Sequence, residues 1–126
     1  SKKTVLLLVE DEEAMRAVLI EWLRGKQEER VFEVLQASTI KEAQKLFEGH
    51  RTSITTIVIG GEIHPHGIDS SCELARGFRD QGFHGMMIAT SGAGDNNEKL
   101  LDSGCNYQFM KPNLLNDDFA RVVFVD

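Results

Sequence analysis

VLLLVEDE, residues 5–12, is the stretch on which the fold turns. Five apolar residues form a short β-type run, and the change to Glu10-Asp11-Glu12 ends it abruptly. Helical spacing then takes over, with Ala14, Met15, Val18, Leu19, Trp22 and Leu23 recurring on one face. The order is β, then α.

The same unit repeats outward along the chain. Gly25 and the charged residues 26–30 interrupt, after which residues 31–35 read as a strand and 39–48 as a helix closed by Gly49. Residues 54–59 read as a third strand, 70–81 as a helix ended by Gly82, and 86–90 as a fourth strand. A fourth helix over 95–103 ends at Gly104, a fifth strand covers 107–110, and a short last helix runs from Asn116 to about Val123. Asn116 and Asp117 suit the N-terminus of that helix. Five β-α units with such short connections require right-handed crossovers between parallel strands. The predicted fold is therefore α/β, a doubly wound parallel sheet in a three-layer α/β/α sandwich.

Composition limits the function. The 126 residues are 41% apolar and fit one domain, 1–126, around one core. Acidic residues outnumber basic ones, 20 to 14, and the net charge of −6 disfavours nonspecific attraction to nucleic acid or an anionic membrane. No apolar run approaches the roughly 20 residues needed to span a bilayer. The opening residues carry no cleavage site behind an apolar core, so no signal peptide is predicted. Cys72 and Cys105 are far apart and lack CxxC spacing, which reads as two reduced thiols in a cytoplasmic protein.

In doubly wound sheets, ligands bind outside the carboxyl ends of the strands. Glu10 and Asp11, Gly60 to Glu62, Thr90 and Ser91, and Lys111 all fall at that edge. An acid pair there suits a hard cation such as Mg²⁺, although Asp11 would equally well serve to start the following helix. Lys111 adds a cation on a loop stiffened by Pro112, and Thr90 adds a hydroxyl.

With these residues the sequence resembles, over essentially its whole length, the receiver domain of two-component response regulators, the CheY-like domains. The resemblance is carried by residues 6–12, by Ala37 with Glu42-Ala43, by Ile88-Ala89-Thr90-Ser91, and by Gly104-Cys105-Asn106 through Lys111-Pro112. It implies a flavodoxin-like sheet of order 2-1-3-4-5. It also implies that Glu10 and Asp11 are the metal-binding acids, Thr90 the hydroxyl that senses a phosphoryl group, and Lys111 the lysine that pairs with it. The family's reaction is phosphoryl transfer from a histidine kinase to an aspartate at the end of the third strand, with Mg²⁺ and the lysine neutralising the phosphoryl oxygens.

Here the sequence departs from that family's pattern. The third strand and Pro65 together place Gly61 at the acceptor position, and glycine has no nucleophile. Counting back from Gly67-Ile68-Asp69 places Glu62 there instead; the strand pattern and the proline favour Gly61. A second departure is Gln108, which stands three positions before the lysine, where the family carries an aromatic switch residue. The expectation is a pseudo-receiver, not an enzyme, that acts through protein–protein contact. A histidine kinase or an effector domain would bind through the fourth helix, fifth strand and last helix. The competing reading is a Mg²⁺-dependent phosphotransfer or hydrolase domain using Glu62 or Asp11 as nucleophile. No cofactor is expected beyond weakly held Mg²⁺ at Glu10 and Asp11.

Two further patterns carry a possible chemistry. Glu62, His64 and His66 alternate and would face one side of an extended loop, as a transition-metal site requires, but a solvated loop is the preferred reading. Residues 91–94, Ser-Gly-Ala-Gly, precede a helix but lack both the Walker lysine and the full GxGxxG spacing, so they read as a β-α turn. The acids at 10–13 likewise argue against a flavin phosphate loop after the first strand.

Overall fold

The computed structural model describes residues 2–63 and 67–125. Its elements alternate in the expected order: β1 (Lys3–Val9), α1 (Glu13–Lys26), β2 (Val31–Ala37), α2 (Ile40–His50), β3 (Thr56–Ile59), α3 (Gly67–Asp80), β4 (Met86–Ala89), α4 (Gly94–Asp102), β5 (Tyr107–Gln108) and α5 (Asp117–Val123). A single turn of 3₁₀-helix, Lys111–Asn113, follows β5. The five strands form one sheet of order β2-β1-β3-β4-β5. Every pairing is parallel, with Val9 opposite both Ala37 and Ile59.

Strand alternation divides the core into two layers. Val5, Leu7 and Val9 of β1, with Ile57, Ile59, Met87 and Ala89, pack under Ala43, Phe47, Leu74, Ala75, Phe78 and Leu100 of α2, α3 and α4. Leu6 and Leu8, with Val58 and Ile88, pack on the other face against Leu19, Leu23, Phe119, Ala120 and Val123 of α1 and α5. The central strand is thus apolar at successive positions because both of its faces are covered. Full burial of each such Leu or Ile contributes about 1.5–3 kcal/mol.

Local signals set several boundaries. The Thr39 hydroxyl accepts from the Glu42 N–H at 3.1 Å, while the Glu42 carboxylate accepts from the Ser38 N–H at 3.0 Å, so both side chains cap the start of α2. Asn116 Oδ1 accepts from the Phe119 N–H at 3.0 Å and caps α5 as expected. Several boundaries differ from the sequence expectation, four of them instructively. Gly25 does not interrupt α1, and the left-handed residue in this connection is Glu28, with φ of 56°. Gly49 lies within α2, where its backbone is helical and a side chain would meet nothing. Gly67, with φ of +65°, begins α3 three residues before Ser70. The β5 ladder is only two residues long, although Phe109 N–H still bonds Ala89 carbonyl at 2.9 Å and Lys111 N–H bonds Ser91 carbonyl at 3.3 Å. Those two bonds hold the chain along β4 as far as Lys111.

Candidate functional site at the carboxyl edge of the sheet

Glu10 is the first residue beyond β1, and its backbone N–H still bonds Ala37 carbonyl at 3.0 Å. This continuation of the ladder keeps Glu10 at the edge of the core, where it is only 3% exposed. Its Oε2 accepts from the Glu12 N–H at 3.0 Å, and its carbonyl accepts from Arg16 Nη1 at 2.5 Å. Lys111 reaches the same place from the far side of β5. Its Nζ lies 3.1 Å from Glu10 Oε1 and 3.2 Å from Glu12 Oε1.

Burial pushes the Glu10 carboxyl above its ordinary value, and a hydrogen bond with Asp11 adds to the shift; the Glu12 N–H and Lys111 oppose it. For Lys111, burial favours loss of the proton, but the hydrogen bonds and charges of Glu10 and Glu12 outweigh it and hold the ammonium above its ordinary value. Lys111 is therefore a committed cation bound to two acids.

β3 and β4 supply the rest of the site. Gly60 N–H bonds Val9 carbonyl at 2.9 Å, and a Cβ placed on Gly60 would lie 3.4 Å from Glu10 Oε1. Gly61 follows and is buried, whereas Glu62 is exposed. Thr90 is 2% exposed, its N–H bonds Ile59 carbonyl at 3.0 Å, and its hydroxyl is 3.4 Å from the same oxygen. Gln108 is exposed, as is Tyr107 beside it.

Three further residues complete the arrangement: Ser91, already placed at this edge by the sequence, and Glu12 and Asn97, to which the sequence assigned no role. Glu12 is the second acid on Lys111. Ser91, 4% exposed, lies directly against Gly61: a Cβ placed on the glycine would be 2.5 Å from Ser91 Oγ and 2.6 Å from Ser91 Cβ. Asn97, fully buried, accepts from Ser91 N–H at 2.8 Å and donates to Ser91 carbonyl at 3.2 Å. A signal for Asn97 does exist in the sequence, since it stands on the helical face of Leu100 and Leu101, where an apolar residue is the ordinary choice.

The carboxylate oxygens of Glu10, Asp11 and Glu12 lie within 4.8 Å of one another. As a Mg²⁺ site the donor set fits poorly, because Glu10 and Glu12 are already paired with Lys111 and residue 61 offers no side-chain carboxylate. His64 and His66 lie outside the described residues; the segment holding them is bracketed by an isolated antiparallel bridge between Ile63 and Gly67. Cys72 and Cys105 are buried free thiols, and burial pushes the Cys105 thiol up to about 12, which suits packing and not nucleophilic chemistry. A cleft of about 700 Å³ opens beside the end of α1 and α5, lined by Lys26, Arg30, Asp117 and Phe124 among others, away from the strand-end residues. Among the described residues, no helix is long and apolar enough to cross a membrane.

The sequence matches no protein-family model and no curated protein. Solved structures do match. A response regulator receiver domain protein from Clostridium thermocellum superimposes with a TM-score of 0.78 at 20% identity, covering 95% of this chain and 90% of that one. The chain has the receiver fold. A CheY-like receiver domain protein from Methanospirillum hungatei gives a TM-score of 0.75 at 18% identity, covering 97% and 91% of the two chains. The receiver domain of the Saccharomyces cerevisiae response regulator Ssk1, in complex with the histidine phosphotransfer protein Ypd1, gives 0.68 at 22% identity, covering 88% and 80%. At the carboxyl edge of this receiver fold Lys111 is ion-paired to Glu10, and Ser91, next to Thr90, lies against Gly61.

Proposed function

We propose that the chain is a signalling domain of a two-component system that has lost aspartyl phosphorylation and acts through protein–protein contact, with no enzymatic turnover. The observation that carries this reading is Gly61. It is the buried residue at the end of β3, where the receiver resemblance calls for an acceptor aspartate, and it offers no carboxylate to attack phosphorus. The lysine that would neutralise a phosphoryl group is held by Glu10 and Glu12. Glu62, the alternative acceptor, is exposed.

A domain without phosphoryl chemistry must work by what it binds. The partner is a protein, either a histidine kinase or an effector domain in the cytoplasm, and the face formed by α4, β5 and α5 receives it. Tyr107 of β5, 50% exposed, provides apolar contact there. The decisive experiment incubates the unaltered chain with acetyl phosphate and Mg²⁺, then measures intact mass before and after alkaline treatment. No mass gain is expected. A stoichiometric, alkali-labile adduct on any carboxylate overturns the reading.

A further inference from the structure

The close approach of Ser91 to Gly61 does more than accompany a missing carboxylate. Position 61 is flanked on one side by the end of β4. A Cβ there would stand 2.5 Å from Ser91 Oγ, 2.6 Å from Ser91 Cβ and 3.3 Å from Asn96 Cβ. The first two separations are shorter than carbon–oxygen and carbon–carbon contacts allow, because close-packed interiors leave non-bonded carbons about 3.5–4.0 Å apart. The third needs only a few tenths of an ångström of give.

Ser91 itself has little freedom to retreat. Its N–H and carbonyl are both held by the fully buried Asn97, its hydroxyl accepts from the Ala93 N–H at 3.1 Å, and its carbonyl also receives the Lys111 N–H at 3.3 Å. Asn97 is anchored in turn within α4, and its Nδ2 lies 3.6 Å from the Met110 sulfur. The whole turn from Ser91 to the first residues of α4 is therefore tied to Met110 and Lys111, just beyond β5, and pressed into the space beside residue 61.

We infer that the β4–α4 turn is a steric lock: Ser91 and any side chain at position 61 exclude each other, so glycine at 61 holds the turn, and with it the start of α4, in a single position. This rests on the pseudo-receiver reading only for the meaning of position 61; the exclusion itself is a packing statement. Its consequence is that the surface of α4 is presented constitutively. Replacing Gly61 alone would not restore a working acceptor, because the incoming side chain would first have to expel Ser91.

The geometry makes a prediction that ordinary loss of packing does not. Since Ser91 Cβ is itself 2.6 Å away, shortening Ser91 to alanine leaves the clash in place, and only glycine removes it. Urea unfolding and amide hydrogen exchange are measured for Gly61→Ala, Ser91→Gly, Gly61→Ala/Ser91→Ala and Gly61→Ala/Ser91→Gly. Gly61→Ala is expected to lower the unfolding midpoint and to speed exchange of the Ser91 amide by roughly tenfold or more. Alanine at 91 should leave that loss in place. With glycine at 91, the Gly61→Ala change should cost little further. If Gly61→Ala does not fold at all, folding of Gly61→Ala/Ser91→Gly supports the lock, and failure of both overturns it. It is also overturned if Gly61→Ala leaves midpoint and exchange unchanged, or if alanine at 91 relieves the loss as fully as glycine. None of these outcomes depends on acetyl phosphate, so the lock and the pseudo-receiver reading stand or fall separately.

Discussion

Lys111 Nζ lies 3.1 Å from Oε1 of Glu10, joining the loop after β5 to the end of β1 across the middle of the sheet edge. Glu10 is almost wholly enclosed, so removing its partner strands a desolvated carboxylate. Lys111→Met should cost about 2 kcal/mol, below the roughly 3–5 kcal/mol of a fully buried broken pair, because the lysine side chain is 25% exposed and water can reach the site. Glu10→Gln/Lys111→Met should cost less than Lys111→Met alone. Urea midpoints of the three proteins measure both effects, and equal losses in the single and double variants would contradict the pairing.

The pH dependence follows from the direction of the Glu10 shift. Its folded pKa is raised above 4.5, so the stability it contributes is fully present below 4.5 and is lost as pH rises through the folded value. Acidification from neutrality should therefore raise the stability of the unaltered protein relative to Glu10→Gln. Glu42 has the opposite sign: its hydrogen bonds from Ser38 lower its pKa, and the stability it contributes above 4.5 is lost as pH falls through its folded value. The difference in urea midpoint between the unaltered chain and Glu10→Gln isolates the Glu10 contribution. A difference that stays flat or shrinks on acidification would reverse the assigned sign.

Divalent cations must compete with the Lys111 ammonium for Glu10 and Glu12. Mg²⁺ binding by the unaltered chain is expected to be on the order of millimolar or weaker, by comparison with weak hard-cation sites. Lys111→Met releases both carboxylates, and calorimetric titration should then show tighter binding. Micromolar affinity in the unaltered chain, or no gain in the variant, would refute the competition.

Arg79 ties the far end of α3 to the approaches of β4 and β5. Its guanidinium donates to Gly104 carbonyl at 2.9 Å, to Phe83 and Gly85 carbonyls at 3.0 and 2.9 Å, and to Asn106 Oδ1 at 2.8 Å. The flat fork matches these acceptors, and an ammonium cannot. Arg79→Ala is expected to cost about 2–3 kcal/mol, in keeping with the loss of several charged hydrogen bonds, and Arg79→Lys should recover less than half of that in urea unfolding. Full recovery by lysine would show that charge alone matters here.

The order of strands and helices was legible in the sequence because it is local. Residues 5–9 are apolar without alternation since β1 is covered on both sides, and α1 shows its buried stripe at Leu19 and Leu23. Boundaries governed by backbone freedom were less legible. Gly49 is helical although glycine commonly ends a helix, whereas Glu28, which no propensity marks, takes the left-handed conformation.

The sequence by itself determined the doubly wound order, the residues gathered at the carboxyl edge, and the presence of glycine where the receiver resemblance expects an acid. Only the tertiary structure decided how those residues are engaged. Lys111 is bound to Glu10 and Glu12 over separations of 101 and 99 residues, and Ser91 occupies the space beside Gly61 across 30, as their numbering gives. Such contacts depend on strand register and side-chain volume, which a linear pattern does not carry, and they are what make the Gly61 site a packed, ion-paired one.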